Sequence, residues 1–147
     1  YQFLNKEKIK DYNKTYKINN KEKIRKYNKE YSKERRKNDP LFKLKENIKS
    51  LIKNSFNKKG YIKNNKTFEI LGCSIEEFRL FIQSKFENWM NDSNYGVYTG
   101  NYNETWQLDH ITPISSAMNE EEVLKLNHYT NFQPLCSKKN LEKSNNL

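Results

Sequence analysis

Cysteine is scarce in this 147-residue chain. The two present, Cys73 and Cys136, are too few and too far apart for a disulfide framework or for paired CxxC zinc knuckles. Both read as buried thiols, and no structural zinc is expected. Long apolar runs are missing as well. No stretch approaches the ~18 residues of a membrane span, and the first residues show no charged start followed by an apolar h-region. The expectation is a soluble, unsecreted, intracellular protein with no membrane partner. Hydrophobic residues make up only 34% of the chain, so the core must be small. With 8 Phe, 10 Tyr and 2 Trp, aromatic rings carry much of the burial, each covering roughly 150–250 Å². The length fits one domain, or one domain with an appendage.

Positive charge is what the chain has in excess, and it is unevenly placed. Residues 1–39 hold 14 Lys and Arg against 6 Asp and Glu, whereas residues 40–147 hold 14 against 12. The first segment thus carries +8 of the net +10. A dense basic segment suits a polyanion partner, because each neutralised phosphate releases condensed counterions. A solvated helix rich in Lys and Asn is the alternative. Lys21, Arg25, Lys26, Arg35 and Arg36 are the candidate nucleic-acid contacts of this arm, joined by Lys138 and Lys139 near the other end.

The arm is also repetitive. Asn5-Lys6-Glu7-Lys8-Ile9-Lys10-Asp11-Tyr12-Asn13-Lys14-Thr15-Tyr16 recurs 15 residues later as Asn20-Lys21-Glu22-Lys23-Ile24-Arg25-Lys26-Tyr27-Asn28-Lys29-Glu30-Tyr31. In each copy the apolar positions fall at i, i+3 and i+7, one face of a helix, with Asn5 and Asn20 as expected N-caps. The stripe is narrow and has no leucine seam. One or two long, poorly buried helices are expected, ordered by DNA, a second copy of the chain or a partner protein.

Asp39-Pro40 marks a boundary, because the residue before proline disfavours helical backbone. Leu41, Leu44, Ile48, Leu51 and Ile52 then form an amphipathic helix that Lys58-Lys59-Gly60 ends. A short helix over Thr67 to Leu71 is stopped by Gly72. Ser74 with Glu77 is a capping box opening a helix with Phe78, Phe81, Ile82, Phe86 and Trp89 on one side. Residues 91–96 read as a loop, and Asn119 with Glu122 caps a short helix through Leu126. Trp106 to Ile111 reads as a strand, Asn131 to Leu135 as its partner, and Ser137 onward as a helix. The order is strand, long connection, strand, helix, in an α+β chain that is mostly helical.

The strand Trp106-Gln107-Leu108-Asp109-His110-Ile111-Thr112-Pro113, with Asn131-Phe132-Gln133-Pro134-Leu135-Cys136 and Asn140-Leu141-Glu142-Lys143 downstream, gathers a carboxylate, an imidazole, two amides and a lysine. Cutting a phosphodiester needs hard oxygen ligands for a hydrated cation, a base of near-neutral pKa and positive charge for phosphate. Successive strand residues point to opposite faces, so Asp109 and His110 can share one site only if the strand ends or bulges there.

These residues resemble the HNH nuclease motif with its ββα-metal fold: the Asp-His pair, the central Asn and the final Asn-x-x-Lys stand in the right order. The upstream run Leu71-Gly72-Cys73-Ser74-Ile75-Glu76-Glu77-Phe78, with Phe86, Trp89, Met90 and Tyr95-Gly96, is similar to HNH proteins encoded by phages and other large DNA viruses. The resemblance covers residues 40–147 and implies a helical support region (40–100) and an HNH catalytic module (101–147); ahead of them stands the basic helical arm (1–39), whose repeats resemble the Lys-rich, Tyr-rich helical leaders of some of those proteins. The resemblance implies His110 as general base, Asp109 and Asn140 as metal ligands, Asn131 as the brace that aims His110, and Lys143 as a phosphate contact. One departure stands out: the third signature position is Asn140 rather than His. The same replacement occurs in the HNH domain of CRISPR-associated RNA-guided nucleases. A carboxylate with an amide oxygen suits Mg²⁺ or Mn²⁺ better than a softer ion. His128 is expected to pack or to bond within the hairpin.

The function expected on this resemblance is a metal-dependent DNA endonuclease that works inside the cell. The alternatives are a DNA-binding or RNA-binding protein that kept the scaffold without turnover, and an accessory nuclease of a larger viral DNA-processing machine.

Overall fold

The computed structural model describes residues 2–145, with side chains described from 5 to 143. Its contacts separate two compact units, Tyr1–Asp39 and Pro40–Leu147. In the first unit, α1 (Gln2–Asn19) and α2 (Lys21–Asn38) follow one another across Asn20. Asn5 lies inside α1 rather than at its start, so it is not the N-cap of that helix. Asn20 directs its amide backwards, donating Nδ2 to the Tyr16 carbonyl at 2.9 Å, and makes no side-chain cap to α2. The repeat therefore continues through Asn20 because its backbone still closes helical bonds, from its own N–H to Tyr16 O and from Ile24 N to its carbonyl. Among the described residues α2 buries none. The tyrosines pair with each other, Tyr12 on Tyr16 and Tyr27 on Tyr31, with ring centroids 6.3 and 6.4 Å apart. Each of the four remains at least half exposed.

The second unit is α+β and mostly helical, with one small antiparallel sheet. Pro40 opens α3 (Pro40–Lys58), where its missing N–H is one the helix start leaves unbonded anyway. Leu44, Ile48, Ile52 and Phe56 repeat every four residues and are buried. Gly60, at φ +78°, turns the chain out of the helix. After α4 (Thr67–Leu71), Gly72 closes the turn at φ +80°. The Ser74–Glu77 capping box starts α5 (Ile75–Gln83): Glu77 N donates to Ser74 Oγ at 3.2 Å, and Ser74 N to Glu77 Oε2 at 2.8 Å. Its helix stops before the apolar stripe does, so Phe86 and Trp89 reach the core from the irregular segment that follows.

β1 (Trp106–His110) and β2 (Phe132–Cys136) pair antiparallel, with Trp106 opposite Cys136, Leu108 opposite Pro134 and His110 opposite Phe132. Between them lies α6 (Glu120–Leu126), capped by Asn119. β2 runs directly into α7 (Ser137–Asn145). The period-two alternation divides the hairpin. Trp106, Leu108 and Phe132 face a core in which Phe78 meets Phe132 edge-on and Phe86 lies 4.9 Å from Trp106. Gln107 and Asp109 point to the other face, towards α7. Of the two free thiols, Cys136 is buried; Cys73 is only half-buried, which corrects the expectation of two buried thiols. Among the described residues no helix is long and apolar enough to cross a membrane.

Candidate active site

Asp109 and His110 leave opposite faces of β1, yet both line one cleft because the strand stops at His110. What turns the chain there is Asn131. Its carbonyl accepts from Ile111 N at 2.8 Å, its Oδ1 accepts from Thr112 N at 2.9 Å, and its Nδ2 donates to Thr112 O at 3.0 Å and to Leu126 O at 2.8 Å. The clamp uses one accepted and two donated bonds, and a side-chain amide supplies that combination where a hydroxyl has only one proton to give. The clamp also holds Asn131 in a 3₁₀ turn (Tyr129–Asn131), so the second strand begins at Phe132 rather than at Asn131.

α7 completes the site from above. Asn140 and Lys143, one turn apart, both line the cleft. Asn140 Nδ2 donates to Gln107 Oε1 at 2.8 Å. Lys143 Nζ donates to Asp109 Oδ2 and to the His110 carbonyl, both at 2.7 Å, and Gln133 Nε2 reaches the same Asp109 oxygen at 2.9 Å. α3 contributes Lys58 and Lys59 to a cleft of about 580 Å³. Lys59 ties down the opposite rim by donating to Ser115 O and Ala117 O, each at 2.7 Å. Three ammonium groups against one carboxylate make the cleft attractive to phosphate.

The His110 ring packs on Phe132, with centroids 4.4 Å apart, and its Nε2 lies 3.1 Å from Asn127 Oδ1. Burial lowers its pKa from the ordinary 6.5 and outweighs the upward pull of Asn127 and Asp109; Lys143 and Lys58 push the same way as burial. The imidazole is therefore neutral near pH 7 and able to accept a proton.

Two uncharacterized proteins of Acanthamoeba polyphaga mimivirus are similar to this chain. One is 35% identical over 117 residues, which are 78% of this chain and 45% of the relative. The other is 31% identical over 105 residues, 70% of this chain and 42% of the relative. The chain thus spans less than half the length of either curated relative. No family model matches the chain. No solved structure matches it.

Among the described residues no three His, Cys, Asp or Glu side chains gather as a metal cluster. The cleft instead offers one carboxylate and one amide. Mg²⁺ commonly takes one or two carboxylates, keeps several waters and adds substrate phosphate, so Asp109 and the Asn140 amide oxygen could supply its protein ligands. The set falls short of a structural zinc site, which takes four Cys, His or carboxylate ligands.

The other predicted contacts lie elsewhere. Lys21, Arg25, Lys26, Arg35 and Arg36 are exposed on α2 in the first unit, where Arg35 bonds the Tyr31 hydroxyl at 3.3 Å and Asp39 at 3.4 Å. Lys138 lies 5.1 Å from the centre of the Tyr98 ring and 3.6 Å from Glu142, while Lys139 is exposed; neither lines the cleft. His128 bonds Thr130 Oγ1 through Nδ1 at 2.9 Å and packs on Gly72, where an added Cβ would lie 2.6 Å from His128 Nε2. Sequence reasoning missed Gln107, Gln133, Lys58 and Asn127. Gln107 was within reach, two residues from Asp109 on the same strand face. Asn127 carried no signal, being one more amide in an asparagine-rich chain.

Proposed function

We propose that this chain is a metal-dependent DNA endonuclease of the HNH type, its β1–β2–α7 hairpin and helix being the ββα-metal module. The observation that carries the reading is the convergence of Asp109, His110, Asn140 and Lys143 on one basic cleft, with Asn131 clamping the chain just beyond His110. His110 takes a proton from water as the water oxygen bonds to phosphorus. The P–O bond then breaks, and its electron pair leaves with the 3′ oxygen. A Mg²⁺ or Mn²⁺ ion held by Asp109 and Asn140 would stabilise the charge that builds on phosphate and leaving oxygen. Lys143 and Lys58 hold the scissile phosphate in the cleft. The α2 basic residues add affinity along the DNA backbone.

The deciding experiment is cleavage of supercoiled plasmid by the purified full chain, with Mg²⁺, with Mn²⁺ and with chelator. Metal-dependent nicking or linearisation that His110→Ala removes is the expected result. Full cleavage by His110→Ala, or none by the wild type with either ion, overturns the reading.

One observation favours a second reading, a nucleic-acid-binding protein without turnover: the Lys143 ammonium already sits on Asp109 at 2.7 Å, where a cation would be needed. Tight DNA binding unaffected by chelator, without any cut, would decide for it.

A further inference from the structure

We infer that Asn127 is a positioning residue that holds the proton of neutral His110 on Nε2, leaving Nδ1 as the nitrogen that accepts a proton. The role of Nδ1 as base rests on the nuclease reading above; the placement of the proton does not.

The orientation of the Asn127 amide is fixed by its surroundings. Nδ2 lies 2.8 Å from the Val123 carbonyl, an acceptor only, so the amide nitrogen must point there and Oδ1 must face the imidazole. Asn127 is wholly buried, at 0% exposure, and its backbone N–H closes the end of α6 on Leu124 O. It has no room to swing, and no solvent can replace it. Oδ1 has only lone pairs to offer, and His110 Nε2 is 3.1 Å away. A lone pair on Nε2 would set two acceptors face to face inside the protein, whereas a proton on Nε2 satisfies both.

Ser55, from α3, lies on the same oxygen. Its Oγ is 3.1 Å from Asn127 Oδ1 and 2.9 Å from the Leu51 carbonyl. One hydroxyl proton serves either acceptor, and in neither case does Oδ1 gain a proton to donate. Phe132 supports the ring face while Asn127 holds its edge. The arrangement resembles that of other catalytic histidines, in which the bond made by one nitrogen sets the state of the other.

The chain has only two histidines, which makes the proton directly observable. The test uses the metal-free full chain labelled with ¹⁵N-histidine, at a pH where the rings are neutral, with His110→Gln assigning the signals. The expected result is a protonated Nε2 and an unprotonated Nδ1 on His110, the Nε2 proton exchanging slowly with water. Asn127→Leu, checked for a retained amide fingerprint, should lose that slow exchange, and Ser55→Ala should keep it. A merely structural Asn127, present only to close α6, would leave the exchange unchanged in the leucine variant. A proton on Nδ1 in the wild type, or an equally slow Nε2 proton in folded Asn127→Leu, overturns the inference. Should the leucine variant fail to fold, the wild-type proton position and its exchange rate still decide. Failure of the nuclease reading looks different: no plasmid cleavage, with the protected Nε2 proton in place.

Discussion

Lys143 Nζ lies 2.7 Å from Asp109 Oδ2, a pair that joins the last helix to the end of the first strand beneath it. The carboxylate is nearly covered and the lysine a third exposed, at 11% and 33%. A divalent ion on Asp109 would have to share or displace this ammonium. Lys143→Met should therefore bind Mn²⁺ several-fold more tightly in the absence of DNA, the equivalent of about 1 kcal/mol for a partly screened pair. Cleavage by the same variant should fall, because one of the cations that hold phosphate in the cleft is gone. Titration by proton relaxation checks the first half; unchanged or weaker Mn²⁺ binding would show that the ammonium is no competitor.

The lowered pKa of His110 fixes a direction with pH. Because the folded chain holds the ring neutral, the unfolded chain binds a proton that the folded one refuses. Stability is thus complete above the ordinary imidazole value of 6.5 and declines as pH falls below it towards the folded value. Denaturant unfolding of the metal-free protein across about pH 5 to 8 should show this decline, and His110→Gln should remove much of it. The acid limb of plasmid cleavage should likewise lie below 6.5. A limb above that value would contradict burial as the dominant influence.

Asn131 makes three side-chain hydrogen bonds, two to Thr112 and one to Leu126. Asn131→Ala loses all three, though water can take over the two exposed bonds to Thr112 and only the one to Leu126 is partly buried, so it should cost about 1 kcal/mol of stability, while Asn131→Asp should cost a comparable amount because it lacks the donor. Cleavage should drop further than stability alone explains, since the turn that aims His110 is released. Equal unfolding midpoints and a wild-type cleavage rate would make Asn131 a bystander.

The charge of the first unit makes a prediction about salt. Replacing Lys21, Arg25, Lys26 and Arg36 with Gln in the full chain should flatten the dependence of log affinity on log salt by roughly 0.9 for each phosphate that is no longer neutralised. The weakening should be similar on unrelated DNA sequences, as bonds to the phosphate backbone carry no base information. Parallel salt series for the two proteins measure it. Identical slopes would turn these side chains towards protein or solvent.

How much of the fold is legible in the sequence depends on distance along the chain. The Ser74–Glu77 box, the Asn119 cap, the buried stripe of α3 and the stop at Gly72 are local and can be read from residues a few positions apart. The end of α5 at Gln83 cannot, because Phe86 and Trp89 keep an apolar rhythm that the core satisfies without a helix. Asn20 misleads for a related reason: an asparagine between two helical copies looks like a start, but its amide finds a nearer carbonyl behind it. In the cleft, Asp109, His110, Asn140 and Lys143 can be named from their motif. Asn127 cannot, since its meaning comes from Ser55, 72 residues away, and from a strand end 17 residues before it.

α7 is fastened to the hairpin and its approach largely through polar groups: Asn140 to Gln107, Lys143 to Asp109, and Glu142 to the Tyr102 hydroxyl, while its Leu141 is 46% exposed. Two of those fasteners use the groups a bound cation or phosphate would engage. Occupancy of the cleft and docking of the helix thus draw on shared groups, and by thermodynamic reciprocity each must alter the other's free energy by the same amount. Amide hydrogen exchange within α7 would serve as a gauge of ligation, its protection changing with occupancy of the cleft while α3 and α5 stay as they were.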